Sequence, residues 1–584
     1  MPNPHGIQVF PGEGVRFRLR GPDCAHVSLE LAGQQNPIPM QAGADGWHEV
    51  HVAGVMPGAR YRFVLPSGMR VPDPASRYQP EDVHGWSEVV DPGAWRWRDR
   101  GWTGRPWKEA VVYEMHVGAF SPEGTFAGAA LKLDHLAQLG VTAIQLMPVG
   151  DFPGERNWGY DGVQLYAPDA CYGRPEDLKE FIDAAHERGM MVFFDVVYNH
   201  FGPEGNYLWL YAKDFFTDRH RTPWGPAVNF ASPAVREFVV QNALYWLREY
   251  HADGLRLDAV HALHDDGPVH ILAELAERVR AAFPERQIHL VLENEENESR
   301  WLADGLYTAQ WNDDVHHVLH TAVSGERSGY YEEYCGDTAK LGRALAEGFV
   351  FQGQVMHYRS RRRGEPSRQL APTKFVAFLQ NHDQIGNRAL GDRLAAGWPA
   401  KRVRAAAAAY LLAPQIPMLF MGEEWGAQSP FPFFCHFEPQ LGEAVREGRL
   451  REFARFPEVR EAYENNRIPD PQALSTFESA KLRWADLEDP NHAATFDWYR
   501  RILECRREWV LPVMDEIRQG GEYAVVAHGA VVVQWRIGDA RELMLAVNLS
   551  DHAVEGVRAP EGGRLIWMEG AGVMAPWSAA WWIA

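Results

Sequence analysis

The first hundred residues carry short runs in which apolar and polar positions alternate: VRFRLR, HVSLELAG, WHEVHVAG and ARYRFVLPSG, each closed by Gly or Pro. Alternation with a period of two between turn residues predicts half-buried antiparallel strands, and no helical period competes. A small N-terminal β-sandwich, immunoglobulin-like in pattern, is expected over residues 1–95.

Beyond the Trp- and Arg-rich connector GAWRWRDRGWTGRPWKEA the rhythm changes. Eight apolar runs alternate with amphipathic stretches: VVYEMHV (111–117), VTAIQLMPV (141–149), MMVFFDVVYNH (190–200), DGLRLDAV (253–260), IHLVLEN (288–294), GLYTAQW (305–311), KFVAFLQNHD (374–383) and IPMLFMGEEW (416–425). Continuous apolar runs suit strands buried on both faces. Of the intervening stretches, PEDLKEFIDAAHERG repeats its apolar residues at helical spacing and ends at Gly189, a helix-terminating residue. The pattern predicts an α/β protein whose centre is a closed (β/α)8 barrel, or TIM barrel, over 106–500, with a short insertion after the third strand at 201–232. After residue 500 the period returns to two, which predicts a C-terminal β-sandwich domain over 501–584.

A chain of 584 residues with 46% hydrophobic and 23% charged positions is globular in composition, so disordered and fibrous classes are excluded. The net charge of −20 opposes a polyanion, and no nucleic-acid partner is expected. Five scattered cysteines show neither a disulfide framework nor metal-ligand spacing. The N-terminus has no signal-peptide pattern, and the apolar stretch 405–422 is broken by Pro414, Gln415 and Pro417. A cytoplasmic protein with no membrane association is expected.

Barrel enzymes carry their chemistry where strands end, so polar groups that close apolar runs are the informative ones. Asp195, Asn199 and His200 close the third run. Arg256 and Asp258, two apart and so on one face, close the fourth, followed by His261. Glu293 closes the fifth, and Asn381, His382 and Asp383 the seventh. Three carboxylates in one mouth repel unless one keeps its proton and another meets a cation such as Arg256. That division suits retaining glycoside hydrolysis, with Asp258 as nucleophile and Glu293 as acid/base. Taken singly, each strand-end Asp fits a helix cap or a salt bridge equally well, and the histidines fit ordinary interior positions. WNDDVHH (311–317) reads either as a polar loop or as a substrate contact, and Tyr160 and Trp425 lie where a sugar face could stack.

DVVYNH (195–200), GLRLDAVH (254–261), LVLEN (290–294) and FLQNHD (378–383) resemble the four characteristic segments of the alpha-amylase superfamily, glycoside hydrolase family thirteen. The resemblance implies that Asp258 is the nucleophile, Glu293 the general acid/base and Asp383 the transition-state stabiliser. It places Arg256, His200 and His382 around the attacked glucose, and it makes the N-terminal sandwich carbohydrate-binding-like. YEMHVGAFSPEGTF (113–126) and NWGYDGVQLYAPDACYGRPEDL are similar both to glycogen branching enzymes and to the branch that cleaves maltooligosyltrehalose. PDPASRYQPEDVHG (72–85), NYLWLYAKDFFTDRHRTPWG (206–225), WNDDVHH and residues 431–456 favour the second. That branch implies hydrolysis of the α-1,4 bond next to a terminal trehalose and a functional pairing with the synthase that makes maltooligosyltrehalose; the chemistry demands no cofactor, and no HxxxH or HxH spacing at His200, His261 or His382 supports a metal site. The branch also implies substrate contacts for Asp313, Asp314 and His317. Asn294 departs from the branch, which commonly carries an acidic residue after the acid. The rival readings are a 1,4-α-glucan branching enzyme and a noncatalytic glycan-binding protein.

Overall fold

Eight short parallel strands form the centre of the structure, a computed structural model that describes residues 5–222, 224–303, 305–454, 460–465 and 467–584. Residues 1–4 of the predicted N-terminal domain, Pro223 of the predicted insertion and residues 455–456 of the 431–456 segment lie outside the described residues. The strands are β1 (Val112–Met115), β2 (Ala143–Leu146), β3 (Met191–Val196), β4 (Gly254–Leu257), β5 (His289–Leu292), β6 (Ala309–Trp311), β7 (Phe375–Phe378) and β8 (Ile416–Phe420). They pair in chain order, and β1 pairs with β8, Val112 opposite Met418, to close the barrel. Every residue of all eight strands is buried, which is why their sequences carry no alternation.

The predicted runs extend beyond the ladders, and the overshoot carries Asp258, Glu293 and Asp383. The chain leaves the sheet after Leu257 and turns at Ala259, whose φ of 41° is left-handed. After β7, Asn381 leaves the ladder to cap the short helix His382–Gly386, its side chain accepting a hydrogen bond from Gln384 N. The helix α1 (Pro175–Glu187) follows the predicted period and ends before Gly189, which adopts φ 72°. Helices α2 (Asp313–Ser324), α3 (Ala400–Leu411) and α4 (Pro490–Cys505) belong to the same outer layer.

Before the barrel, two antiparallel sheets enclose Phe17, Leu29, Tyr61 and Phe63, all fully buried. The bidentate pair of Arg20 with Asp214 (3.0 and 2.7 Å) ties this domain to the segment after β3. After the barrel, the chain forms one five-stranded antiparallel sheet, in which Ser578–Ile583 lies between Arg541–Asn548 and Arg564–Glu569. It packs on α3, with the indole of Trp581 donating to Ala408 O at 2.9 Å.

Arg506, just past α4, is 3% exposed and donates to the carbonyls of Leu411, Ala413 and Gln415 between α3 and β8. Arg506→Met leaves three carbonyls without this donor and is expected to cost roughly 3–5 kcal/mol. Thermal melting of the variant reads the loss.

Candidate active site

The mouth of the barrel is organised around one guanidinium. Arg256 on β4 is fully buried and lies over the ring of Trp311 on β6, 4.2 Å from its centroid. Its Nη1 donates to both oxygens of Asp195 (2.8 Å each) and to Asp258 Oδ1 (2.9 Å). Its Nη2 lies 3.0 Å from Glu293 Oε2 without hydrogen-bond alignment. Strand register produces this convergence: Asp195 sits opposite Arg256 between β3 and β4, Val291 sits opposite Arg256 between β4 and β5, and Asp258 follows two residues along. A buried cation requires anions within reach, and three strands supply them.

The carboxylates are held differently. Asp258 accepts from Arg256 on one oxygen and from Asn199 Nδ2 (2.8 Å) on the other, the arrangement of an anionic carboxylate. Glu293 accepts one hydrogen bond, from Ala259 N at 2.6 Å, which the left-handed turn at Ala259 delivers. Burial pushes the Glu293 pKa well above the carboxylate range; Arg256 opposes the shift, and the charges of Asp258, Asp383 and Asp313 reinforce it. Asp383, on the short helix after β7, has a side chain 42% exposed toward the cleft. One carboxylate is thus held by two donors, one is favoured in its protonated form, and one is open to a ligand.

Aromatic and imidazole groups surround them. Tyr160 donates to Asp195 Oδ2 (2.7 Å), lies 2.9 Å from His382 Nε2, and stacks on the His382 ring. Glu114 on β1 receives His382 Nδ1 at 2.7 Å and His382 N at 3.0 Å. Burial disfavours a charged His382, but Glu114 and Asp383 outweigh it and raise the pKa. His200 lies 2.8 Å from the Tyr160 carbonyl and has its pKa lowered by burial. Trp224 stacks parallel on His200 (4.2 Å between centroids) and leaves half its own surface exposed. Tyr160→Phe removes the hydroxyl from both Asp195 and His382; a fall of ~10-fold in kcat/KM and of about 1–2 kcal/mol in stability is expected, read by kinetics and melting.

Beside these groups opens a cavity of about 660 Å³ lined by Arg221, Trp224, His261, His264, Glu296 and Arg361, among others. It places His261 at the cleft wall. Asp313, at the start of α2, is raised to about 7 by burial, reinforced by the charges of Glu295, Asp314 and Asp383. Its charge also bears on Glu293, which makes it part of the same electrostatic group.

Other predicted contacts are corrected by the structure. Asp314 is buried and accepts from Asn297 Nδ2, Val350 N, Tyr334 Oη and Arg363 Nη1, so its oxygens are taken by protein donors and face no ligand. Asn381 is buried and serves as a helix cap. His317 is packed against Tyr330 and Tyr334 and is 9% exposed, which leaves little of it to a substrate. Trp425 is fully buried against His135 and Trp484, because the chain after β8 turns inward in a 3-10 turn, and it offers no face to a sugar. Glu114, Trp224 and Trp311 were not among the expected site residues. Glu114 had a readable signal, a lone carboxylate inside an apolar strand. Among the described residues no group of three His, Cys, Asp or Glu side chains is arranged to hold a metal ion.

The alpha-amylase catalytic-domain family matches residues 77–223 and 208–500, and a domain of unknown function, DUF3459, matches 518–581. The Malto-oligosyltrehalose trehalohydrolase of Deinococcus radiodurans is 44% identical over 95% of this chain and 91% of its own length. The chain belongs to the malto-oligosyltrehalose trehalohydrolase family. A second trehalohydrolase, from Saccharolobus solfataricus, is 38% identical over 88% of this chain and 90% of its own. Similarity to a 1,4-alpha-glucan branching enzyme of Corynebacterium jeikeium, by contrast, reaches 34% over only 44% of this chain and 39% of that one. A crystal structure of a putative alpha amylase from Salmonella typhimurium superposes with TM-score 0.95 over all of both chains at 44% identity. A pullulanase from Paenibacillus barengoltzii (TM-score 0.76, 20% identity) shares the fold of this trehalohydrolase-family chain.

Proposed function

We propose that this chain hydrolyses the α-1,4-glucosidic bond next to the terminal trehalose of maltooligosyltrehalose, with retention, releasing trehalose and a malto-oligosaccharide. The observation that carries the reading is the unequal pair beside Arg256: Asp258 accepts from both Arg256 and Asn199, whereas Glu293 accepts only the Ala259 amide and has its pKa raised by desolvation. Near full-length similarity to the trehalohydrolases supports the choice of substrate.

In the first step the Glu293 proton passes to the glycosidic oxygen as that oxygen leaves the anomeric carbon with trehalose. An oxygen of Asp258 bonds to the same carbon, giving a glycosyl-enzyme. Water then attacks this carbon, Glu293 takes its proton, and the bond to Asp258 breaks to free the malto-oligosaccharide. Asp383 faces the cleft where positive charge develops on the ring. In this reading His382, Tyr160, Asn199 and His200 hold the attacked glucose, and the cavity at His261 and Trp224 receives the leaving group. No cofactor enters this chemistry.

The reading places the reaction in the cytoplasm, downstream of a synthase that makes maltooligosyltrehalose. All five cysteines are free thiols, and among the described residues no helix is long and apolar enough to cross a membrane. Chromatography of products from maltooligosyltrehalose and from the matching malto-oligosaccharide tests the function. Trehalose from the first with little reaction of the second is expected. New α-1,6 linkages would mark a branching transferase, and glucan binding without turnover a noncatalytic protein.

A further inference from the structure

The loop behind Glu293 presents an electrostatic problem. ENEENE (293–298) places four carboxylates in six residues, which repel one another and the acid unless cations answer them. The answer is an arginine-rich segment, RSRRR (359–363). On the outer side Arg359 pairs with Glu295 and Glu296, and Arg361 with Glu296. On the inner side Arg363, its side chain 4% exposed, donates through Nε to the Glu295 carbonyl (2.6 Å) and through Nη1 to Asp314 Oδ1 and Tyr334 Oη (2.8 Å each).

Asp314 completes the clamp. Its Oδ2 accepts from Asn297 Nδ2 (2.9 Å) and from Val350 N (2.7 Å), and Glu365 N donates to the Asn297 carbonyl at 3.0 Å. These contacts secure Asn297 at φ 56°, the turn that folds the loop back under the barrel mouth. Asn294 closes the other end: its carbonyl accepts from Gln310 Nε2 (3.0 Å) and its side chain from Glu296 N (3.0 Å). An amide suits this position, because its Nδ2 also reaches Glu298 at 3.2 Å, where a carboxylate would repel. Glu296 and Glu298 line the 660 Å³ cavity together with Arg361 and Glu365.

We infer that the buried Arg363–Asp314 pair is a positioning device for the general acid, fixing through one loop both Glu293 and a wall of the leaving-group cavity. The inference rests on the proposed function for the role of Glu293. The pair hydrogen-bonds the loop behind Glu293 and not Glu293 itself, so it acts on the acid through that loop. Proton delivery therefore depends on it, whereas attack by Asp258, held by Arg256 and Asn199, does not.

Leaving-group chemistry separates the two. The C–F bond of α-maltosyl fluoride breaks without a proton as Asp258 bonds to the anomeric carbon, and azide then displaces Asp258 without a base. Arg363→Met and Asp314→Asn, each in the full chain, are assayed on maltooligosyltrehalose and on the fluoride with azide. The expected result is a kcat on the glycoside lower by ~100-fold or more, with the fluoride–azide rate close to that of the unsubstituted chain. Equal losses on both substrates, or undiminished glycoside cleavage, would overturn the assignment. Should Arg363→Met fail to fold, the near-isosteric Asp314→Asn decides. Should the unsubstituted chain cleave malto-oligosaccharides but release no trehalose, the substrate reading fails, and the glycoside-to-fluoride ratio still tests the clamp.

Discussion

Asp258→Asn is expected to lower trehalose release by ~10⁴-fold or more while leaving the melting temperature near that of the unsubstituted chain. The amide keeps an oxygen for Arg256 but has no anionic oxygen to bond the anomeric carbon. Folding is expected to survive because Arg256 retains the bidentate Asp195 and the neighbouring Glu293. The measurements are a product assay and mass spectrometry of enzyme quenched during turnover of the fluoride. The variant should carry no glycosyl adduct, and near-normal trehalose release by it would refute the nucleophile assignment.

Glu293→Gln is expected to lose ~10²–10⁴-fold in kcat on the glycoside and to lose the alkaline limb of the pH–rate profile. The sign follows from the direction of the pKa shift. Burial first, and the surrounding carboxylates next, raise the folded-state pKa above the unfolded value of about 4.3. The protonated form therefore stabilises the fold fully below that value, and the contribution is lost as pH rises through the folded pKa. In the unsubstituted chain, activity falls over the same alkaline range as the acid loses its proton. Glutamine cannot ionise, so the variant should gain melting temperature relative to the unsubstituted chain as pH is raised. A difference that shrinks with rising pH would contradict the assignment of Glu293 as the buried acid.

The barrel was legible because each of its eight strands is buried on both faces, leaving uninterrupted apolar runs whose order alone defines the closure. The carboxylates at the barrel mouth were legible for the converse reason, as polar residues ending those runs. Their division of labour was not: Asp258 and Glu293 are both strand-end carboxylates, almost equally exposed, and only the Asn199 donor on Asp258 and the amide of Ala259 on Glu293 tell them apart. Asp314 and Trp425 were misread because a polar residue after an apolar strand and an aromatic in a Gly-flanked loop look alike whether they face ligand or protein. Glu114 was missed because its partner, His382, lies on the short helix after β7, far away in the chain.

Barrel closure has a consequence for how this chain comes off the ribosome. The edge of β1 is completed by β8, more than 300 positions later, through pairs such as Val112 with Met418. Until β8 emerges, β1 presents an unpaired apolar edge in a growing parallel sheet, the condition that favours slow folding and aggregation. Arg506 adds a second delay, since the carbonyls leading from α3 into β8 gain this donor only after residue 506 has been synthesised. Fragments ending between β8 and Arg506 hold Asp258, Glu293 and Asp383 but are expected to stay dependent on chaperones, with yield rising sharply only once the C-terminal sheet is included.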